Sequence, residues 1–284
     1  MQAGYHVLPM EKYLADPCVV PSLSSSIAGI ILRESACKAW FQHPRLNPNY
    51  VKHEAQQFDI GTAAHAMLLE GANVIEVCEF ADWRTNAAKE KREAARAAGK
   101  IPLLTRHRDD VVAMVSAAEA FIEHSEIAEY WPDADPELVG IALETDIWLR
   151  CRFDKITKNR RFIFDYKSTT DASPEQFSRQ IVRMGYHIQE AMYRRIVRDL
   201  GGVNPRFVFL AQNVEPPYEC SLHGCDESLQ EIADAEVERA IHLWRVCSKS
   251  KSWPSYSNRI HYAIPTNWML QDHEMRSLSD LKAA

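Results

Sequence analysis

The pattern of apolar and polar positions predicts an amphipathic helix near the beginning of the chain. The segment "SLSSSIAGIILRESACKAWFQH", residues 22–43, starts with serines that suit a helix N-terminus. Apolar side chains follow at helical spacing, among them Ile27, Ile31 and Trp40.

Two more helices are predicted before the middle of the chain. In residues 58–71, "FDIGTAAHAMLLEG", Gly61 and His65 fall one turn apart, and Gly71 suits the C-terminal end. A further helix is predicted from about Arg106 to Ser125.

The period changes from helical to alternating in the middle of the chain. "VGIALETDIWLRCRFDKI", residues 139–156, alternates apolar and polar side chains and predicts a strand. "KNRR", residues 158–161, predicts a polar turn, and "FIFDYKS", residues 162–168, predicts a returning strand. Together they predict an antiparallel hairpin.

Helices and strands alternate in the second half. Ser173, Pro174 and Glu175 mark a helix start, and a second helical stretch runs from Tyr186 to Leu200. Strands are predicted for residues 206–212 and 218–222, followed by a long helix from Glu227 to about Ser250. This order indicates an α/β or α+β sandwich with a mixed sheet at its centre, in a single domain.

Composition restricts the class of protein further. The 284 residues are 46% hydrophobic and 25% charged, as in a folded globular protein. No apolar run of about 18 residues occurs, and the first residues lack the zones of a signal peptide, so we expect a cytoplasmic protein without a membrane partner.

The seven cysteines are scattered and form no CxxC, which disfavours a disulfide framework or a zinc knuckle. We expect reduced core residues. An iron–sulfur cluster built from Cys37, Cys220, Cys225 and Cys247 stays open, but the spacings are loose.

Positive charge is concentrated in one segment of a chain whose net charge is −6. Residues 84–108 contain eight Lys and Arg and two Glu. The usual explanation of such a run is a solvated helix face. The alternative is an arm that contacts phosphates.

The candidate chemistry lies at the end of the predicted hairpin. Asp165 and Lys167 are two positions apart and share a face, while Tyr166 turns away. If the strands pair around residues 158–161, Asp154 comes near Asp165. Two close carboxylates favour a divalent cation between them, and this arrangement suits phosphodiester hydrolysis. A surface ion pair at a strand end is the alternative for Asp165 and Lys167 alone.

Gln189 and Tyr193 share one face of the following helix, and both can hydrogen-bond a phosphate or a catalytic group. Taken alone, the pair is an ordinary feature of a helix surface.

Four motifs in this order resemble the RecB-like branch of the PDDEXK nuclease superfamily, and most closely the phage-encoded exonuclease VIII (RecE-type) domain. They are "GTAAH" at 61–65, Asp154, "DYKST" at 165–169, and the pair Gln189 and Tyr193. The chain departs from that pattern in two ways. The third motif has an aspartate where the superfamily name implies glutamate, and the tight C-terminal cysteine group of iron–sulfur relatives is missing.

The resemblance implies a restriction-endonuclease-like α/β core, with a central mixed β-sheet flanked by α-helices. It implies one exonuclease domain over residues 1–284, with a helical part at about 1–130, a catalytic part at about 131–250 and an extension at 251–284.

The resemblance also implies roles for individual residues. Lys167 is expected to be catalytic, with Gln189 and Tyr193 orienting the site or the DNA. Glu144, ten residues before Asp154, is a further acidic candidate or an ordinary exposed strand residue. The expected ligands of Mg²⁺ or Mn²⁺ are His65, Asp154, Asp165 and the backbone carbonyl of Tyr166. The expected DNA contacts are Arg84, Lys89, Lys91 and Arg92.

The function implied is a Mg²⁺-dependent exodeoxyribonuclease that degrades double-stranded DNA from an end, 5′ to 3′, in phage-type recombination. The resemblance also implies a single-strand annealing protein as a partner and assembly of the chain into a homo-oligomeric ring. The alternatives are an endonuclease or single-strand-specific nuclease, an inactive DNA-binding or partner-binding module, and a hydrolase of another phosphodiester.

Overall fold

Helices dominate the first part of the chain, and a run of five consecutive strands lies at its middle. The structure is a computed structural model that describes residues 1–50 and 60–283. The chain divides into two compact units, Met1–Pro254 and Ser255–Ala284. The helices are α1 (Met10–Leu14), α2 (Ser25–Arg33), α3 (Ala36–Gln42), α4 (Ile60–Glu70), α5 (Asn86–Ala97), α6 (Thr105–Glu123), α7 (Pro174–Met184), α8 (Tyr186–Asp199), α9 (Glu227–Ser250) and α10 (Asn267–Ala283). The strands are β1 (Gly4–Val7), β2 (Leu23–Ser24), β3 (Ile75–Cys78), β4 (Ile101–Leu104), β5 (Ala134–Pro136), β6 (Leu138–Glu144), β7 (Ile147–Arg152), β8 (Lys155–Thr157), β9 (Phe162–Thr169), β10 (Arg206–Asn213) and β11 (Cys220–His223).

Two sheets carry the larger unit. One has the strand order β1-β6-β7-β2 and the other the order β11-β10-β9-β8-β5, while β3 and β4 form a small separate pair. Strand β9 is parallel to β10 and antiparallel to β8, so the five-stranded sheet is mixed. The predicted α/β class, with mixed sheet flanked by helices, is confirmed.

The two faces of β9 pack against different helices. Phe164 and Tyr166 belong to a core cluster with residues of α4 and α6, whereas Ile163 belongs to the cluster that includes Ile188 and Met192 of α8. Because strand side chains alternate, Asp165 and Lys167 lie on the α8 face, away from Tyr166, as the sequence predicts.

The single helix predicted for residues 22–43 was wrong, because the structure contains two. Helix α2 ends at Arg33, and its C-cap Glu34 has φ −119° and ψ −91°, which is not helical. Ser35 then starts α3, its hydroxyl accepting a hydrogen bond from Lys38 N at 3.1 Å. Serine favours a new N-cap over the interior of a long helix.

The single strand predicted for residues 139–156 was also wrong. It is the hairpin β6–β7 followed by β8, and Thr145 has φ +57° in the β6–β7 turn. The second hairpin, β8–β9, turns at residues 158–161 as predicted. The period-two alternation extends through the turn residues, so the pattern conceals the reversal.

The other predicted elements from residue 106 onward are confirmed to within two residues, namely α6, α7, α8, β10, β11 and α9. The predicted helix at 58–71 corresponds to α4, and its first two residues lie outside the described part of the chain. None of the helices in the described residues is long and apolar enough to cross a membrane. All seven cysteines are free.

A buried carboxylate fixes the start of α2 beside β7. Asp16 Oδ1 accepts from Ser22 Oγ at 2.7 Å, Oδ2 accepts from Ser22 N at 2.9 Å, and Arg150 Nη1 lies 3.4 Å from Oδ1. His43 Nε2 lies 3.4 Å from Oδ2. Burial alone would raise the pKa of Asp16, but the hydrogen bonds from His43 and Ser22 and the charge of Arg150 lower it to about 2.

Candidate functional site

Asp165 is held in place by two side chains. It lies on β9, is 1% exposed, and its Oδ1 accepts a hydrogen bond from Gln189 Nε2 of α8 at 2.6 Å. Its Oδ2 forms an ion pair with Lys167 Nζ. Lys167 in turn lies over the ring of Tyr186, 4.9 Å from the centroid. These contacts place a buried carboxylate and an ammonium at one spot on the α8 face.

Asp154 occupies the link between the two sheets, between β7 and β8. The β8–β9 register, continued by one residue, sets it opposite Asp165. The β6–β7 register, continued the other way, sets it opposite Glu137, whose backbone N–H donates to Asp154 O at 3.0 Å. Asp154 Oδ2 accepts a hydrogen bond from Tyr166 N at 2.8 Å and lies 3.1 Å from His65 Nε2.

His65 reaches this point from α4. Small residues on that helix, including Gly61, Ala63 and Ala64, are buried and let it approach β9 closely. The His65 ring lies 5.8 Å from the ring of Tyr166, centroid to centroid. Tyr166 is fixed by its hydroxyl, which donates to Gln212 Oε1 at 2.6 Å.

Glu137, which the sequence analysis missed, completes a group with the predicted residues His65 and Asp154. Ligand atoms of His65, Glu137 and Asp154 all lie within 4.8 Å of one another. Glu137 precedes β6, has φ +56°, and forms an ion pair with Arg152 Nε. Recognising the β6–β7 hairpin would have set Glu137 opposite Asp154, and that is the signal in the sequence that could have found it.

A cavity of about 760 Å³ opens beside these residues. Gln189 and Tyr193 both line it, so the predicted pair on α8 does face the site, although Tyr193 is only 6% exposed. His65, Glu137, Arg152 and Asp154 line the same cavity, together with residues of α1, α2 and the N-terminal end of α8.

The carboxylates perturb one another's protonation. Burial raises the pKa of Asp165 to about 6, against the opposing charge of Lys167 and with a contribution from the charge of Asp154. Burial also raises the pKa of Glu137 to about 7, against the opposing charge of Arg152. For Asp165 and Glu137, burial and the charge of Asp154 therefore outweigh the nearby cations.

The ion pairs in the site favour the charged forms of His65, Lys167 and Asp154. Burial lowers the pKa of His65, but the hydrogen bond and charge of Asp154 outweigh it and raise the pKa above its usual value. Burial likewise opposes the charged form of Lys167, and Asp165 and Asp154 raise its pKa nonetheless. Asp154, despite its burial, has a lowered pKa because His65 and Lys167 face it.

The donor set suits a divalent ion. It offers one imidazole nitrogen, from His65, and the carboxylates of Glu137 and Asp154 around one point. These ligand types hold Mn²⁺ and, through oxygens, Mg²⁺. The ligand role predicted for Asp165 stays a prediction. The crowding of like charges at Asp154, Asp165 and Glu137 is what such an ion would relieve. The residues therefore fit the predicted metal. The ligand role of the Tyr166 carbonyl stays a prediction.

Glu144 does not belong with the other acidic candidates. The prediction that Glu144 shares a strand with Asp154 was wrong, because Glu144 ends β6 and pairs with Ile147 across the hairpin turn. Both of its carboxylate oxygens accept hydrogen bonds from Arg195, at 2.5 and 2.6 Å. A bidentate ion pair of this kind positions α8 against β6.

The basic segment, residues 84–108, comprises α5, β4 and the first turn of α6 with the loops between them. Arg84 is 91% exposed and lies 3.6 Å from Asp82, and Lys89 is also exposed. Lys91 pairs with Glu76 at 2.7 Å, and Arg92 contacts both Glu93 and the ring of Trp83. Carboxylates thus compensate part of the local charge, and DNA binding by these four residues stays a prediction.

Comparisons with known proteins bear on the fold. A family model described as "PDDEXK-like domain of unknown function (DUF3799)" matches residues 32–266. A crystal structure titled "Putative exonuclease" from Eubacterium rectale matches with a TM-score of 0.59 at 13% identity, covering 93% of this chain and 98% of that one. At that identity the likeness concerns the fold alone.

Two weaker structural matches carry no argument. They are SSO0001, with a TM-score of 0.27, 10% identity and coverage of 69% of this chain and 79% of that one, and LHK-Exo in complex with dAMP, with a TM-score of 0.25, 12% identity and coverage of 66% and 93%. No curated protein sequence matches the chain significantly.

Proposed function

The chain belongs to the family of PDDEXK-like domains described as DUF3799, and on that premise we propose that it is a metal-dependent deoxyribonuclease that degrades linear double-stranded DNA from an end. The observation that carries the proposal is the nearness of His65, Asp154, Asp165 and Lys167, which come from α4, the β7–β8 link and β9. His65 and Asp154 line the cavity, and the ion pair of Asp165 with Lys167 lies behind them. Their nearness is what phosphodiester hydrolysis requires, namely a cation site beside a fixed ammonium group.

Each residue has a distinct task in this reaction. A bound Mg²⁺ or Mn²⁺ would polarise the scissile phosphate and acidify a water molecule. Lys167 can donate hydrogen bonds to the attacking water or to the phosphoryl oxygens as negative charge develops there. Gln189 holds Asp165 in one orientation, and Tyr166 N does the same for Asp154.

The finer properties are proposed from the resemblance to exonuclease VIII and from the name of the Eubacterium rectale structure, an exonuclease. We propose Mg²⁺ as the ion, 5′ to 3′ polarity, a role in phage-type recombination beside a single-strand annealing protein, and a homo-oligomeric ring around the DNA. The exposed Arg84 and Lys89 supply positive charge suited to phosphate contacts outside the cavity.

The test compares matched linear and closed-circular duplexes, incubated with Mg²⁺ or with chelator. Wild-type protein is compared with Asp165→Asn and with the control Asp133→Asn, which removes a half-exposed carboxylate paired with Lys158. We expect Mg²⁺-dependent loss of the linear duplex alone, in the wild type and the control but not in Asp165→Asn.

Cutting of the circle would replace the exonuclease with an endonuclease. Loss of a linear single strand but not of the duplex would indicate a single-strand-specific nuclease. If neither form of DNA is cut while the protein still binds it, the proposal fails in favour of an inactive binding module.

A further inference from the structure

Arg152 is a buried guanidinium whose donors are not all used by the fold. It ends β7, its side chain is 10% exposed, and it lines the cavity with His65 and Asp154. Its Nε meets Glu137, but its Nη1 is buried and has no hydrogen-bond partner in the part of the chain that the structure describes. Buried donors normally have partners, so an unused donor on a residue that lines a cavity is a candidate for binding an anion.

Arg150, two residues earlier on the same strand, differs in this respect. Its Nη1 donates to both the carbonyl and the hydroxyl of Ser22, at 2.9 and 2.6 Å, and lies 3.4 Å from Asp16. Arg150 therefore serves the packing of the N-terminal segment. Arg152 has no comparable contact from Nη1, and a purely structural role leaves that group unexplained.

Glu137 touches both Arg152 and the candidate ion site. Its carboxylate pairs with Arg152 Nε, and one of its oxygens is within 4.8 Å of ligand atoms of His65 and Asp154. Its backbone is tied to Asp154 by the 3.0 Å hydrogen bond from its N–H. Glu137 is therefore fixed between a guanidinium and two potential metal ligands.

A divalent ion and Arg152 compete for the same carboxylate. Carboxylate oxygens are preferred ligands of Mg²⁺ and Mn²⁺, and a doubly charged ion attracts Glu137 more strongly than one guanidinium does. When Glu137 binds the ion, the negative charge of its carboxylate is shared between the ion and Arg152. The guanidinium of Arg152 is then less fully neutralised. The guanidinium then has donors in a fork geometry that matches a phosphate.

We propose that Glu137 is a ligand of the divalent ion in addition to the expected set, and that Arg152, released by it, binds a phosphate of the nucleic acid in the cavity. The inference rests on the proposed function for the identity of the anion. Ion binding and phosphate binding are then linked through one carboxylate, so that the phosphate contact becomes available only when the ion is in place.

The test uses binding rather than cleavage. Titration calorimetry measures the affinity for Mn²⁺ of the DNA-free protein, and then the affinity for dAMP, a nucleotide with a terminal phosphate, at saturating Mn²⁺. The proteins are the wild type, Glu137→Gln, Arg152→Gln and a control, Arg160→Gln. The control removes an arginine that pairs with another carboxylate, Asp135, at 3.3 Å.

We expect the two variants to act in opposite directions on the ion. Glu137→Gln should weaken Mn²⁺ binding by about tenfold or more, the size of effect seen on losing a metal-site partner. Arg152→Gln should tighten Mn²⁺ binding, because Glu137 no longer has a competing cation, and should weaken dAMP binding by about tenfold. Arg160→Gln should leave both affinities as in the wild type.

Arg152→Lys provides a second variant if Arg152→Gln fails to fold. Lysine keeps the positive charge but lacks the two parallel N–H donors of the guanidinium. The affinity for Mn²⁺ should therefore stay near that of the wild type, while the affinity for dAMP falls. Mn²⁺ affinity that falls in Arg152→Gln, or stays unchanged in Glu137→Gln, would overturn the inference.

Failure of the inference can be distinguished from failure of the proposed function. A protein that cuts DNA but shows neither shift refutes only the linkage through Glu137. A protein that shows both shifts but cuts no DNA refutes only the nuclease activity.

Discussion

The side-chain amide of Gln189 donates a 2.6 Å hydrogen bond to Oδ1 of Asp165, from helix α8 to the central strand β9. Without it, Asp165 would keep only Lys167 and could turn away from the ion site. We expect Gln189→Ala to lower the cleavage rate by about 10–100-fold, with little change in thermal stability. Single-turnover kinetics on a linear duplex measure the rate. Gln176→Ala, on the exposed face of α7, should behave as wild type.

Lys167 is expected to be required for chemistry and not only for neutralising Asp165. Lys167→Met keeps the length of the side chain and removes its charge, and we expect cleavage to fall by about 10³-fold, the scale of losing one donor to a developing oxyanion. Lys158→Met removes a lysine paired with Asp133 at the surface and should retain activity. Retained cleavage in Lys167→Met would contradict the proposed role, because methionine has neither the positive charge nor a hydrogen-bond donor.

The ion site is expected to stabilise the protein when it is filled. Mn²⁺ at about 100 times its dissociation constant should add about 2.7 kcal/mol to the free energy of unfolding, and chelator should remove this gain. His65→Ala should lose most of the response, since His65 Nε2 faces Asp154 in the site. Thermal melts with and without Mn²⁺ provide the measurement. His242→Ala, which removes an exposed histidine of α9, should respond as the wild type does. An unchanged response in His65→Ala would show that the ion binds elsewhere.

The basic face is expected to affect substrate binding more than turnover. Replacing Arg84 and Lys89 together by alanine should raise KM and reduce the dependence of KM on salt by up to about two counterions. Steady-state kinetics at several salt concentrations test this. Arg179→Ala, an exposed arginine paired with Glu175 at 2.7 Å, is the matched control. A fall in kcat at unchanged KM would argue against phosphate contacts by Arg84 and Lys89.

Ionised Asp16 is expected to stabilise the fold, and this contribution to the free energy of unfolding should be lost in acid. Its pKa is about 2 in the folded protein and near 3.8 otherwise, so its contribution is present above pH 4 and is lost as pH falls towards 2. The shift corresponds to about 2 kcal/mol. Asp16→Asn should therefore lower the free energy of unfolding by about 2 kcal/mol or more at pH 7, and the deficit should shrink as pH falls.

Urea unfolding of wild type and Asp16→Asn at pH 7, 5 and 3 checks this prediction. Asp133→Asn, whose carboxylate is half exposed, should show almost no deficit at any pH. A deficit for Asp16→Asn that stays constant down to pH 3 would mean that packing, and not the charge on Asp16, stabilises this junction.

The hairpin and the helix after it could be predicted from the sequence because their signals are local. The polar turn at 158–161 and the Ser173–Pro174–Glu175 start each determine an element within a few residues. The nearness of Asp154 to Asp165 followed from that turn alone. Residue types at fixed spacing were thus sufficient for the part of the site that one hairpin carries.

The rest of the site depends on contacts that no local pattern encodes. Glu137 faces Asp154 because β6 turns back at Thr145, and the alternation of side chains hides that turn. Glu144 was misplaced for the same reason. The pairing of Arg152 with Glu137 joins residues whose charges look like ordinary strand polarity in the sequence. The β6–β7 hairpin brings them together.

The position of Asp154 between two registers has a consequence for the order of assembly. We expect the β8–β9 hairpin to bring Asp154 to Asp165 early in folding, because the two lie close in the chain. His65 and Gln189 are expected to join them only when α4 and α8 dock. A nascent or partly unfolded chain therefore carries fragments of the site and never the whole. On the proposed function, the ability to hydrolyse DNA would therefore appear only when these long-range contacts have formed.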